Sequence, residues 1–376
     1  MGRQRRFLAR VGAMSAKEVL HIQRDPRTLY LALVMPALLL LLFGYGVSFD
    51  VDHIPLAVAD ADRTPASRAL VHAFVESREF ELAGRVEPDG AVELFRRGGA
   101  LAVLVVRPGY GRDLARGEPA RAELLVDGAD RMTASQVLQK ADAIALSESR
   151  RRAAAAGLTA APPLEARVWT RYNPEARSAI FLVPGLTAYL LAIGAVLLTA
   201  LTVAGEWERG SMEQLFASPV GRLDIILGKL LPYLALGVLQ VLLVVAVGAT
   251  AFGVPIRGSL PLLFALGVTF LVCMLGQGLF ISVLAKNQLV ATQAGLLSSL
   301  LPSLLLSGML FPIENMPAVL RAASRVVPAR YLVHALRGIL LKGSGFGLLW
   351  PDLVALAVFA AAIIAVATAR FQRRIA

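Results

Sequence analysis

Residues 205–220, GEWERGSMEQLFASPV, set Glu206, Glu208, Arg209 and Glu213 between two long apolar runs that carry almost no charge. Ser211 and Glu213 open a helical turn pattern, Leu215 and Phe216 give it an apolar side, and Ser218-Pro219 stop it. A helix this short is marginal alone and needs a partner surface. The chemistry available to such residues is docking: the charges set register and orientation while Leu215 and Phe216 are buried. An ordinary solvated loop is the plainer reading of the same residues. No catalytic set stands elsewhere, for the four histidines are scattered and the single cysteine, Cys273, lies in an apolar run, which leaves no intrachain disulfide and no cysteine metal site. Residues 221–230, GRLDIILGKL, fail the phosphate-loop pattern, with six residues between the glycines and a leucine after the lysine. Asp60, Asp62 and Arg63 read as a solvated loop before they read as a site.

The elements that must position the 205–220 stretch follow from composition. A chain of 376 residues with 56% hydrophobic and 17% charged residues and a mean hydropathy of +0.64 is a polytopic α-helical membrane protein. Its net charge of +11 is concentrated at the ends. Arg3, Arg5, Arg6, Arg10, Lys17, Arg24 and Arg27 face only Glu18 and Asp25, and the tail ends on Arg370, Arg373 and Arg374. That distribution places both termini in the cytoplasm and assigns the basic excess to topology and lipid headgroups rather than nucleic acid. Residues 1–27 read as an amphipathic helix on the inner leaflet. Residues 28–48 form a first span, an uncleaved signal anchor with no convincing cleavage site after Gly46.

Residues 49–177 have the composition of a soluble domain, with eighteen bases and nineteen acids. Their periodicity alternates between strand and helix and predicts an inserted extracytoplasmic α/β domain: strands at 54–59, 80–86, 101–106 and 122–126, helices at 65–77 and 89–97, a long helix at 132–156 and a final strand at 166–172. Residues 178–369 hold five further apolar runs, at 178–204, 230–252, 260–285, 289–311 and 349–368, which makes six transmembrane helices. The tail is 370–376. Residues 312–347 are then external, although Arg321, Arg325, Arg330, Arg337 and Lys342 there run against the charge rule, and they read as two short amphipathic helices dipping into the outer interface.

The spans carry no ionisable residue in this reading: Glu206, Glu208, Glu213, Asp224, Glu314 and Asp352 all fall at or beyond span ends, which disfavours a proton- or sodium-driven carrier. Ala291, Gly295, Ser299, Ser303 and Ser307 recur every four residues, a spacing that lets helices approach closely. Packing within one subunit is the first reading of that stripe, a subunit interface or substrate-facing seam the second. Gln240, Gln277, Gln288, Thr292 and Gln293 either line a path or bond between helices.

With these residues in hand, the sequence resembles the membrane subunit of type-2 ATP-binding-cassette exporters. Glu206-Trp207-Glu208-Arg209-Gly210-Ser211-Met212-Glu213-Gln214-Leu215-Phe216-Ala217-Ser218-Pro219, followed by Gly228-Lys229-Leu230-Leu231-Pro232, is similar to the family's coupling segment and the opening of its third span. Gly308-Met309-Leu310-Phe311-Pro312, Met316-Pro317, Pro328, Tyr331 and Ala335-Leu336-Arg337-Gly338 are similar to its outer re-entrant loop. A large external domain between spans one and two completes the likeness, while Trp207 departs from it. The resemblance implies a permease of the bacterial inner membrane that docks a separate nucleotide-binding ATPase subunit at 205–220, with ATP and Mg on that partner and no cofactor on this chain. It also implies a homodimer or a pairing with a similar permease, contact with membrane lipids, and an external domain that either holds a periplasmic adaptor or collects substrate. The expected activity is export of an amphiphilic or hydrophobic compound, drug-like, lipid or glycan-linked. A membrane-anchored sensor or scaffold acting through its external domain is the alternative.

Overall fold

The computed structural model describes residues 3–46, 53–87, 90–129, 131–155, 177–211 and 220–371. It divides into two compact units, one of Met1–Val47 with Thr170–Ala376 and the other of Ser48–Trp169.

The smaller unit is an α/β layer built on a four-stranded sheet. Its elements are β1 (Ile54–Asp60), α3 (Pro65–Glu76), β2 (Phe80–Arg85), α4 (Ala91–Arg96), β3 (Ala102–Val106), α5 (Tyr110–Ala115), β4 (Ala122–Val126) and α6 (Arg131–Ala155). The order is β2-β1-β3-β4; β1 runs parallel to β2 and β3, and β4 is antiparallel to β3, with Leu56 opposite Ala102 and Val103 opposite Leu125. The unbroken apolar run AVLVV of β3 suits a strand covered on both faces. Ile54, Leu56, Val58 and Leu104 pack under α3 and α6, while Ala57, Ala59 and Val103 pack under α4. Thr64 caps α3 by accepting from the Ser67 backbone N–H, and Pro65 occupies the first turn, where a missing N–H costs nothing. The strand expected at 166–172 lies outside the described residues.

The larger unit contains six helices long and apolar enough to cross a membrane: α2 (Pro26–Gly46), α7 (Ser178–Glu208), α8 (Arg222–Ala251), α9 (Leu260–Ala285), α10 (Gln288–Leu305) and α13 (Phe346–Arg370). α1 (Arg3–Arg24) precedes them, and α11 (Ala318–Ser324) and α12 (Pro328–Arg337) lie between α10 and α13. α7 is the hub, packing on α2, α8, α9, α10 and α12. Its contact with α9 is close because Gly278 has no side chain: a Cβ there would meet the Val196 carbonyl oxygen at 2.2 Å. Polar bonds fix that contact, with Thr199 Oγ1 donating to Leu275 O at 2.8 Å and Ser282 Oγ to Ala200 O at 2.5 Å.

Three expectations change. The long helix continues past residue 204, so Glu206 and Glu208 form the last turn of α7 and not the start of a separate helix. α1 turns part of its apolar side to protein, because Val11, Met14 and Ile22 are buried and α1 packs along α8, while Leu8, Val19 and Leu20 stay exposed. α10 stops at Leu305, short of residue 311, and Gly308 turns the chain at a φ of +82° that favours glycine.

Candidate functional site

The site forms where α1, the end of α7 and the start of α8 meet. Gly228 permits the approach, since a Cβ there would lie 2.4 Å from Met14 Cβ, and Ser15 Oγ donates to the Gly228 carbonyl at 3.1 Å. The next residue, Lys229, is 1% exposed and lies between two carboxylates. Its Nζ donates to Glu18 Oε1 at 2.6 Å and stands 3.0 Å from Glu206 Oε2. The second contact lacks hydrogen-bond geometry, so its attraction is Coulombic. Lys17 Nζ donates to Glu206 Oε1 at 3.0 Å, and the Tyr233 hydroxyl points at Glu18 Oε2 from 3.4 Å. Two carboxylates and two ammonium groups thus neutralise one another, which is the condition for keeping charge out of water. At the rim, Arg10 Nε pairs with Asp224 at 3.1 Å, and Asp224 accepts the Gly221 backbone N–H at 2.9 Å, closing the first turn of α8.

This corrects the expectation that the spans hold no ionisable group. Lys229 lies inside α8, which begins at Arg222, and Glu206 lies inside α7. Glu206, at 4% exposure, faces the protein and not a docking partner. Glu208 is exposed, and its carboxylate accepts the Gln288 backbone N–H at 2.8 Å and the Gln288 side-chain N–H at 2.5 Å, tying the end of α7 to the start of α10. Trp207 lies under Lys286, whose Nζ is 4.7 Å from the ring centre. Arg209 caps α7, Gly210 adopts a φ of +70°, and Ser211 Oγ donates to Glu206 O at 3.2 Å. Glu213, Leu215, Phe216 and Pro219 lie outside the described residues. The sequence did hold a signal for the cluster: Glu18 falls on the apolar stripe of α1 with Val11, Met14 and Ile22, and Lys229 interrupts an apolar run.

The small-residue stripe lies inside the unit. Ala291, Gly295, Ser299, Ser303 and Ser307 are all buried, with Gly295 facing Val196 and Ala200 of α7. Gln277 Nε2 donates to Ser298 Oγ at 3.1 Å, and Thr292 Oγ1 bonds within its own helix. Gln240 is fully buried beside Gly194, and neither of its amide atoms has a hydrogen-bond partner.

At the other end of α7, Arg337 donates to Gly308 O at 2.9 Å and Met309 O at 3.0 Å, with its guanidinium 4.1 Å from the Phe181 ring centre. Arg321 and Arg330 bond the Met316 carbonyl and the Ser324 hydroxyl. Arginines that seemed to break the charge rule therefore hold local structure. Pro312 and Pro317 precede short helical turns, Pro328 opens α12, the Tyr331 hydroxyl donates to Arg325 O at 2.8 Å, and buried Gly338 continues the chain into a π turn.

In the α/β unit, Asp60 and Asp62 are structural. Asp62 accepts the backbone N–H groups of Gly109 at 2.8 Å and Gly111 at 2.9 Å and the Thr64 hydroxyl at 2.5 Å. The Thr64 bond first, then the backbone donors, hold its pKa below the ordinary carboxylate value. Asp60 accepts from Arg63 N and Ser67 Oγ. The crevice between β1 and β3, where a sheet of this order would take a ligand, is filled by the chain's own carboxylate. A groove of about 870 Å³ opens instead between α3 and β2, lined by Val71 and Leu82 and by Arg63, Arg68 and Arg85 together with Asp60 and Glu87. Among the described residues no cluster of histidine, cysteine and carboxylates could hold a metal.

The site is therefore a junction of three helices held together by buried charge. Residues 28–369 match the family model described as ABC-2 family transporter protein. The chain is 34% identical over 336 residues to the probable multidrug ABC transporter permease YbhS of Escherichia coli K12, covering 89% of each protein. It is 29% identical over 373 residues to the probable multidrug ABC transporter permease YbhR of the same strain, covering 97% of this chain and 99% of YbhR. It is 28% identical over 333 residues to the inner membrane transport permease YhhJ, also of that strain, covering 85% and 86%. Six span-length helices, a linker anchored at both its flanks and a family match over most of its length agree, and the chain belongs to the ABC-2 family of transporter proteins as a multi-pass permease.

Proposed function

We propose that this permease exports an amphiphilic or hydrophobic compound across a bacterial inner membrane, driven by ATP hydrolysis on a separate nucleotide-binding subunit that docks on residues 209–221. Family membership implies pairing with such an ATPase subunit. The carrying observation is the Glu18–Lys229–Glu206 cluster: it binds the helices on either side of the linker to each other and to α1, so a push on the linker moves α7 and α8 together. Glu208 passes the same displacement to α10. Both termini face the cytoplasm, the α/β unit lies outside, and two copies or a pair of similar permeases form the pathway. The groove of the α/β unit, with apolar and charged lining, supports substrate collection as that unit's role.

The test is to purify the C-terminally tagged protein in mild detergent, identify co-purifying proteins with their ATPase activity, and assay ATP-dependent uptake of a fluorescent amphiphile into inverted vesicles. A stoichiometric ATPase and uptake, both lost in Glu213→Lys, are expected. A lone permease without uptake moves the function to a sensor. The buried cluster also supplies ionisable groups that an ion-driven carrier needs. Uptake that survives ATP depletion and collapses with an ionophore would assign that mechanism instead.

A further inference from the structure

A cavity of about 870 Å³ lies between the α1–α2 corner and the facing sides of α7 and α8. Its lining changes character along its length. One end holds Lys17, Arg27, Arg209 and Lys229 together with the carboxylates Glu18, Asp25 and Glu206, while the walls beyond are Leu31, Met35, Leu197 and Leu201, ending at Gly194. Twelve residues of helix from Glu206 to Gly194 rise about 18 Å, the length of an acyl chain reaching toward the bilayer centre. The charged end has a bias. Lys17 and Lys229 are committed to Glu206 and Glu18, whereas the guanidinium groups of Arg27 and Arg209 have no side-chain partner among the described residues. Two free guanidinium groups at the mouth of an apolar slot suit a phosphate with a hydrocarbon tail, because the fork of N–H donors matches phosphate oxygens.

Two further observations mark the cavity as more than loose packing. The first span passes it through a π turn, Tyr30–Val34, which places Leu31 in the wall, and such turns gather at functional positions. The same helix is little buried, so the slot's α2 side borders lipid.

We propose that this cavity holds one phospholipid of the surrounding bilayer, its phosphate between Arg27 and Arg209 and one acyl chain along Leu31, Met35, Leu197 and Leu201. The lipid wedges the α1–α2 corner against α7 beside the charge cluster, so it sets how firmly the linker's flanking helices are held. The inference goes beyond export and does not depend on the ATPase subunit.

The full-length protein is reconstituted in nanodiscs of phosphatidylglycerol and phosphatidylcholine, released into mild detergent, and weighed by native mass spectrometry with its retained lipids. One retained phospholipid is expected, with retention falling about tenfold in Leu201→Trp, which fills the slot, and in the double variant Arg27→Glu with Arg209→Glu. Val358→Trp, on an exposed face of α13, retains it. Diacylglycerol, which lacks the phosphate, is not retained by the wild type, a comparison that stands even where a variant misfolds. No retained lipid in the wild type, equal retention in Leu201→Trp, or equal retention of diacylglycerol would overturn the proposal.

Discussion

At the Glu206 end of α7, two carboxylates and two ammonium groups from three separate elements meet, with Lys229 linking Glu18 and Glu206. At the Phe181 end, a single guanidinium serves the carbonyls of Gly308 and Met309 and needs no counter-charge. The first arrangement depends on mutual neutralisation around Lys229, whose removal takes the shared partner from both Glu18 and Glu206, while Lys17 stands more exposed at its edge. The second depends on backbone acceptors that stay where the fold puts them. A clamp of long, paired side chains can let go and re-form in a second arrangement, whereas a carbonyl cap can only hold or fail. This contrast fits a junction that moves at one end of the bundle and an anchor that stays at the other.

The largest effect that tests the contrast is expected from Lys229→Met, which leaves Glu18 and Glu206 buried without their common partner. It should cost roughly 3–5 kcal/mol in unfolding from mixed micelles, the range for breaking a buried pair on one side. Adding Glu18→Gln and Glu206→Gln should recover most of that loss; a triple variant no better than the single would show that the carboxylates do not carry the cost. Next, Arg337→Met removes two charged hydrogen bonds and should lower stability by about 2–3 kcal/mol, with no second substitution that rescues it. Proteolysis within residues 308–318 should rise in step, and an unchanged cleavage rate would separate Arg337 from that turn. Glu208→Ala removes the acceptor of the first N–H of α10 while its N-cap Asn287 stays in place, and should cost about 1 kcal/mol, read as a small drop in melting temperature.

The smallest effect concerns His334, whose Nδ1 lies 2.8 Å from Asp352 Oδ2. The bond to Asp352 first, and its charge, raise the imidazole pKa, while partial burial and the charges of Lys342 and Arg330 oppose the rise. A group favoured in its protonated form contributes fully below its unfolded value of about 6.5 and loses that contribution as pH climbs through the raised folded value. His334→Gln should therefore lower the melting temperature at pH 6 and leave it nearly unchanged at pH 9. A difference of equal size at both values would show that the ring's packing matters and its charge does not.

Much of this molecule is written in local pattern. Six apolar runs became six span-length helices, the run at 260–285 to the residue, because twenty apolar residues have few other fates. The alternation of short apolar strand segments with helical ones at 54–126 became β1 to β4 and their helices, since each short apolar run reports one strand without reference to its neighbours. The stripe from Ala291 to Ser303 is buried, because a four-residue repeat of small side chains defines one helix face, and Ser307 is buried beyond the helix end. Charges near span ends carried no such period. Glu206 reads as a span-end charge, and the local signals, Glu18 on the apolar stripe of α1 and Lys229 within an apolar run, do not say which charges meet.

What only the tertiary structure decided is which distant charges meet. Glu18 and Lys229 are separated by 211 positions, and Lys17 and Glu206 by 189. Periodicity assigns a face to a helix but does not name the helix that will cover it. That α1 would lay its Glu18 face on Gly228, and so turn three separate charges into a buried clamp, follows from the fit of Val11 and Met14 over a residue with no side chain. The sequence by itself determined the spans, the inserted sheet and the family; the packing of α1 decided where the charge is held and how α7 and α8 are tied to each other.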